Sequence, residues 1–113
     1  MLTCRREQRG AVAVVRVAGN LDALSISDFK VELNALSAAG CRSCVIDLSG
    51  VTIVDSSGVG GIISFFKRIR SLGGDVRISG LSGQPKEIFR LLGLERAFDI
   101  LPTVDEALAK FSV

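Results

Sequence analysis

The sequence contains no histidine, and this absence restricts the chemistry that its serines can perform. A Ser-His-Asp triad needs an imidazole base, so a triad is excluded. A Ser-Lys pair fails as well, because Lys67 would lie about three helical turns beyond Ser57 and could not reach it. The segment Gly58–Gly61 matches neither the G-x-G-x-x-G pattern nor a P-loop. We therefore predict that the protein is not an enzyme and uses no cofactor.

Cysteine is scarce, with three residues in the whole chain: Cys4, Cys41 and Cys44. An odd, small number without an export signal argues against a disulfide framework. Cys41 and Cys44 have C-x-x-C spacing, but Gly40 precedes them and a strand-like segment follows, whereas a thioredoxin-like pair opens a helix. A closed zinc site usually takes four Cys or His ligands. We predict no metal site, and a thiol-based redox role for this pair remains an alternative of a different class.

The chain also lacks an excess of charge of one sign and long apolar runs. Fourteen basic and twelve acidic residues give a formal net charge of +2, which is too balanced for a nucleic-acid surface. No apolar run approaches the roughly 18 residues that a membrane span requires. The N-terminus does not have the basic-then-apolar order of a signal peptide. We expect a cytoplasmic protein that binds neither nucleic acid nor membrane.

The pattern that is present alternates strands with helices over the length of one domain, residues 1–113. We predict strands at Leu2–Glu7, Ala11–Val17, Ser43–Leu48, Val76–Ser79 and Phe98–Leu101, and helices that begin near Ser25, Ser57, Pro85 and Thr103. Close spacing of the first two strands predicts a hairpin, and the helical crossovers predict parallel pairing afterwards. The fold class is therefore α/β, with a mixed central sheet and about four helices packed on it.

Several local patterns refine the strands and the first helix. Gly19–Asp22 is predicted to be a loop, and Ser49-Gly50 is predicted to break the strand before Val51. Ser25 and Asp28 have the spacing of a capping box, with Ser27 as a rival cap.

Apolar spacing predicts which side chains the later helices bury. The helix after Pro85 is expected to bury Ile88, Leu91 and Leu92. Phe65 lies off the main apolar stripe of its helix, so it is either a docking contact or a residue at the edge of the core. Thr103 and Glu106 form a second capping-box pattern.

The turn Asp55-Ser56-Ser57-Gly58 is the strongest candidate site. Parallel strands bring their carboxyl ends to one edge of the sheet, so Asp22 and Asp55 should flank the two serines. All three polar residues of the turn are good helix caps, and local chemistry alone leaves a capping role and a binding role both open. A serine at a helix N-terminus also accommodates phosphate, because the N–H groups and the helix dipole stabilise negative charge.

The segments around this turn resemble the anti-sigma factor antagonists of the STAS domain family. The resemblance is carried by Gly19–Asp22, Val45–Val51, Val54–Gly60, Gly74–Leu81 and Leu92–Ile100, and it extends from about Val12 to Phe111. Such antagonists bind an anti-sigma factor, often a serine kinase with a GHKL-type ATP site, and thereby free the sigma factor. Phosphorylation by the kinase ends the interaction, and a serine phosphatase restores it.

The resemblance also implies roles for individual residues. The phosphoacceptor is Ser57, the second serine of the motif, with Ser56 as second choice. The residues implied in partner binding are Asn20, Asp22, Asp55, Ser56 and Gly58, the last because glycine permits close approach.

Other small members of the family leave alternative functions open. One group serves an ABC-type lipid-transport system, where its partner is a transporter ATPase, and others belong to stress-sensing or two-component signalling complexes. The sequence does not identify the sigma factor, the upstream signal or the oligomeric state.

Overall fold

The computed structural model describes residues 2–111 and contains a five-stranded sheet with helices on both faces. The strands are β1 (Leu2–Arg9), β2 (Val12–Leu21), β3 (Ser43–Val54), β4 (Asp75–Ser79) and β5 (Ile100–Leu101). The helices are α1 (Ile26–Ala38), α2 (Ser56–Ser71), α3 (Gly83–Leu91) and α4 (Val104–Ala109), with a 3-10 turn at Leu94–Arg96. None of the helices within residues 2–111 has the length and apolar character needed to cross a membrane.

The sheet is mixed, as predicted, and its strands follow one another in chain order. β1 and β2 form an antiparallel hairpin, and β2, β3, β4 and β5 are parallel neighbours. Gly10 has a φ of 61°, a conformation that glycine adopts without strain in the hairpin turn. The carboxyl ends of β2, β3 and β4 therefore meet at one edge of the sheet.

Both faces of β2 are covered, which explains its run of apolar residues from Val12 to Val15. Val15 and Val17 belong to the larger core cluster, which includes side chains from α1, α2 and α3. Val12 and Val14 point to the opposite face and pack in a smaller cluster with α4. Side chains alternate across a strand, so four successive apolar residues from Val12 serve two separate cores.

Two strands run through segments that were predicted to interrupt them. β2 continues through Gly19 to Leu21, where a loop was expected, and β3 runs through Ser49-Gly50 without the predicted break. The register shifts here, since Arg16 pairs with Asp47 whereas Ala18 pairs with Gly50. The Ser49-Gly50 pair therefore marks a β-bulge within β3 and does not end the strand.

The capping box predicted at the start of α1 does not form. Ser25 is the N-cap residue, but its side chain makes no cap bond. Its hydroxyl donates instead to the carbonyl oxygen of Asn20 at 2.8 Å and accepts from the N–H of Asp22 at 3.1 Å. The hydroxyl therefore closes the loop between β2 and α1. At α4 the prediction is confirmed for the cap itself, because Thr103 Oγ1 accepts from the N–H of Glu106 at 3.2 Å.

The buried faces of two helices differ from the prediction. Leu91 and Leu92 are 68% and 54% exposed, because α3 turns Pro85 and Phe89, four residues apart, toward the core instead. Phe65 is 1% exposed and lies within the larger core cluster. Its interpretation as a docking contact is therefore wrong, and its interpretation as a core residue is correct.

Candidate partner-binding site

Three loops meet at the carboxyl edge of the sheet, as the parallel topology predicts, and side chains tie them together. Asp55, which follows β3, accepts a hydrogen bond through Oδ2 from the N–H of Ala23 at 3.1 Å. Gln84, near the start of α3, accepts from the N–H of Val54 and donates to its carbonyl oxygen, both at 2.9 Å. The loops after β2 and β4 are thus both fixed to the end of β3.

Asp55 is the N-cap residue of α2. Its backbone is extended, and its Oδ1 accepts from the N–H of Gly58 at 3.1 Å. Since Oδ2 holds Ala23, one carboxylate both caps the helix and anchors the loop before α1. Because Asp55 caps α2, neither of the two following serines is needed as its N-cap.

Asp22 and Asn20 lie on the neighbouring loop and strand. Asp22 Oδ1 accepts from the N–H groups of Leu24 at 3.0 Å and Ser25 at 3.2 Å, which fixes a tight Asx-type turn. Asn20 is exposed near the end of β2, opposite Ile53 of β3. Their expected contacts with a partner remain predictions.

Gly58 is buried in the first turn of α2 and makes a close approach inside the molecule. A Cβ atom at this position would lie 2.5 Å from the carbonyl oxygen of Leu21 and 2.9 Å from its Cγ. Only glycine lets the helix pack this tightly against the end of β2. The sequence-based reason for glycine was the approach of a partner, and that role remains a prediction beside the internal one.

Ser56 and Ser57 occupy the first turn of α2, with Ser56 exposed and Ser57 partly exposed. Within residues 2–111 neither hydroxyl has a hydrogen-bond partner. The first turn of this helix contains no acidic residue, so the N-cap carboxylate of Asp55 is the acidic group that faces the positive end of the helix dipole. The site therefore presents two unengaged hydroxyl groups where negative charge is favoured.

Apolar side chains that the sequence analysis did not single out flank the turn. Leu24 is 95% exposed, next to the Ala23 that Asp55 holds, and Ile53 is 41% exposed, two residues before Asp55. The sequence could have indicated Leu24, because a large apolar residue stands there between Asp22 and Ser25 in a short loop. In the part of the chain that the structure describes, no cluster of three or more Asp, Glu, Cys or His side chains is arranged to hold a metal. The site is a mixed polar and apolar surface suited to protein contact.

The STAS domain family model matches residues 4–107. This match covers most of the chain, so the protein belongs to the STAS domain family. The chain is similar to an anti-sigma-B factor antagonist of Bacillus subtilis (strain 168), with 31% identity over 88 residues, 76% of this chain and 78% of the relative.

Two solved structures share the fold. A crystal structure of an anti-sigma factor antagonist from Mycobacterium paratuberculosis has a TM-score of 0.91 at 24% identity and covers 97% of this chain and 93% of its own. The Bacillus cell fate determinant SpoIIAA in its phosphorylated form has a TM-score of 0.77 at 19% identity, over 96% of this chain and 99% of its own.

Proposed function

We propose that this protein is an anti-sigma factor antagonist, and that it binds its anti-sigma factor through the turn Asp55–Gly58. The names of its relatives support this function. The observation that carries the proposal is the pair of unengaged serine hydroxyls at the start of a helix already capped by Asp55. The partner is a serine kinase of the GHKL type, and binding to it releases the sigma factor.

Ser57 is the residue that the kinase phosphorylates. Because Asp55 supplies the cap, modification of Ser57 removes no internal hydrogen bond. The N–H groups and the dipole of α2 stabilise the added charge, so the fold should survive the modification. The SpoIIAA structure was obtained in a phosphorylated form, so a protein with this fold can carry phosphate.

Phosphorylation ends the interaction by changing the charge of the surface. A phosphate adds about −1.5 to −2 charges, beside the carboxylates of Asp22 and Asp55. A like-charge contact at 4 Å costs about 1 kcal/mol in bulk water and about 4 kcal/mol at an effective dielectric near 20. Because 1.4 kcal/mol changes affinity tenfold, binding should weaken by roughly tenfold to several hundredfold. A serine phosphatase restores the binding form.

Mapping the modified residue tests the proposal. The protein is incubated with the serine-kinase anti-sigma factor of its host and ATP, and the phosphopeptide is sequenced by mass spectrometry. Ser56→Ala and Ser57→Ala are a matched pair, since both alter an unengaged hydroxyl in the same helical turn. We expect phosphate on the wild type and on Ser56→Ala, and none on Ser57→Ala. Equal phosphorylation of both variants would contradict the assignment.

A further inference from the structure

Cys41 and Cys44 form a pair of thiols at the amino-terminal end of β3. Cys44 is completely buried in the larger core cluster, whereas Cys41 precedes the strand and is partly exposed. The Cys41 thiol donates to the carbonyl oxygen of Ser43 at 3.4 Å, and it interacts with the Cys44 thiol strongly enough that each shifts the pKa of the other. An accessible thiol thus has a protected thiol as its interacting neighbour.

The surroundings favour the thiolate at Cys41. Its pKa is lowered to about 7, mainly because of the hydrogen-bonding interaction with the Cys44 thiol, with a smaller contribution from the Arg42 guanidinium. Arg6 and Arg42 line the same surface cavity as Cys41. The hydrogen bond to Cys41 and its burial raise the pKa of Cys44. Cys41 is therefore the thiolate of the pair, and Cys44 holds its proton.

Cys4 provides an internal comparison, since it too is partly exposed. Burial and the nearby carboxylates of Glu32 and Asp28 raise the pKa of the Cys4 thiol. The two accessible cysteines therefore differ in their electrostatic surroundings more than in their exposure.

We propose that Cys41 and Cys44 are a reversible oxidation site, which hydrogen peroxide closes to an intramolecular disulfide. The Cys41 thiolate attacks a peroxide oxygen, the O–O bond breaks, and Cys41 becomes a sulfenic acid while hydroxide leaves and takes up a proton. The Cys44 sulfur then attacks the sulfenic sulfur, the S–S bond forms, and the S–O bond breaks with release of a second water. Two electrons pass from the dithiol to the peroxide, and a thiol reductant reverses the reaction by exchange.

This site is separate from the serine turn. Cys44 pairs with Ala13 and Val76 at the start of the parallel sheet, and Asp55 follows the last residue of β3. Ten residues of strand at about 3.3 Å each place roughly 30 Å between them. Oxidation can therefore be tested without reference to partner binding.

The first test compares cysteines within the unmodified protein. At pH 7 about half of a thiol with a pKa near 7 is thiolate, against about 1% of a thiol with a pKa of 9. The thiolate of lower pKa is intrinsically less nucleophilic, which reduces this roughly fiftyfold advantage in thiolate fraction by about eightfold. We expect iodoacetamide to label Cys41 at least about sixfold faster than Cys4, with an apparent pKa near 7. Equal rates at the two residues would overturn the proposal.

The second test follows the product. After hydrogen peroxide, peptide mass spectrometry should find Cys41 joined to Cys44 with loss of two hydrogen atoms, while Cys4 stays free to alkylate. Cys44→Ala, an apolar replacement that suits the core, should stop at a sulfenic acid on Cys41 that dimedone traps. Cys4→Ser, the control, should form the disulfide as the wild type does. Intermolecular disulfides through Cys4, or no dimedone adduct in folded Cys44→Ala, would overturn the proposal.

Discussion

Replacing Gly58 by alanine should destabilise the protein, although alanine is the better helix former. At an exposed helix position the change from glycine to alanine gains about 1 kcal/mol. At Gly58 the new Cβ would lie 2.5 Å from the carbonyl oxygen of Leu21, which belongs to a strand and cannot rotate away. That oxygen also accepts the N–H of Asp55 at 3.2 Å, so displacing it weakens the junction between β2 and α2.

The magnitude follows from two costs and one opposing gain. Overpacking typically costs about 1–3 kcal/mol, and a weakened hydrogen bond adds about 1 kcal/mol. After the helix-propensity gain, we expect Gly58→Ala to lose about 1–3 kcal/mol of unfolding free energy. Gly60→Ala is the matched control, since Gly60 lies in the same helix with nothing within 4 Å of its Cβ position. This control should gain about 0.5–1 kcal/mol.

The assay is urea unfolding followed by far-ultraviolet circular dichroism, because the chain contains no Trp or Tyr for fluorescence. The two variants should differ by about 1.5–4 kcal/mol at an unchanged m-value. If Gly58→Ala were as stable as Gly60→Ala, the tight contact between α2 and the end of β2 would be refuted.

Three further substitutions, read by the same unfolding assay, test the remaining parts of the structure. Asp55→Ala should lose about 1–2 kcal/mol, because the carboxylate caps α2 and anchors the preceding loop. Gln84→Ala should lose about 1–2 kcal/mol with its two hydrogen bonds to β3, whereas Gln8→Ala, which loses one exposed bond, should change stability by less than about 0.5 kcal/mol. Phe65→Ala should cost about 3–5 kcal/mol, and exposed Leu91→Ala close to nothing; equal stability within either pair would contradict the assigned contacts.

Much of the sheet could be predicted from local patterns. The apolar, β-branched character of β2 indicated a buried strand, and the alternation of strands with helices indicated parallel neighbours. These features depend on side-chain periodicity, which the sequence displays directly. The meeting of Asp22 and Asp55 at one edge followed from that topology, and the hydrogen bond between Asp55 and Ala23 bears it out.

Features that depend on partners distant in sequence were not predictable in the same way. Asp47 sits in the middle of an apolar strand, 5% exposed, and is stabilised by the hydroxyl of Ser79, 32 residues away, which donates at 2.9 Å. Gln84 holds the end of β3 from 30 residues away. The exposure of Leu91 likewise depends on which face α3 presents to the core. Apolar spacing alone indicated the face of Ile88 and Leu91, whereas the buried face contains Phe89, one position after Ile88.

The most decisive measurement is the affinity of the phosphorylated and unphosphorylated protein for the serine-kinase anti-sigma factor proposed as its partner. Titration calorimetry would compare the wild type, its form phosphorylated on Ser57, and the variants Ser57→Asp and Ser57→Ala. We predict tight binding by the wild type and Ser57→Ala, and binding weaker by roughly tenfold to several hundredfold for the phosphorylated form, with Ser57→Asp weakened in the same direction. Equal affinity of the phosphorylated and unphosphorylated forms would contradict the role of Ser57 as the residue whose modification ends the interaction.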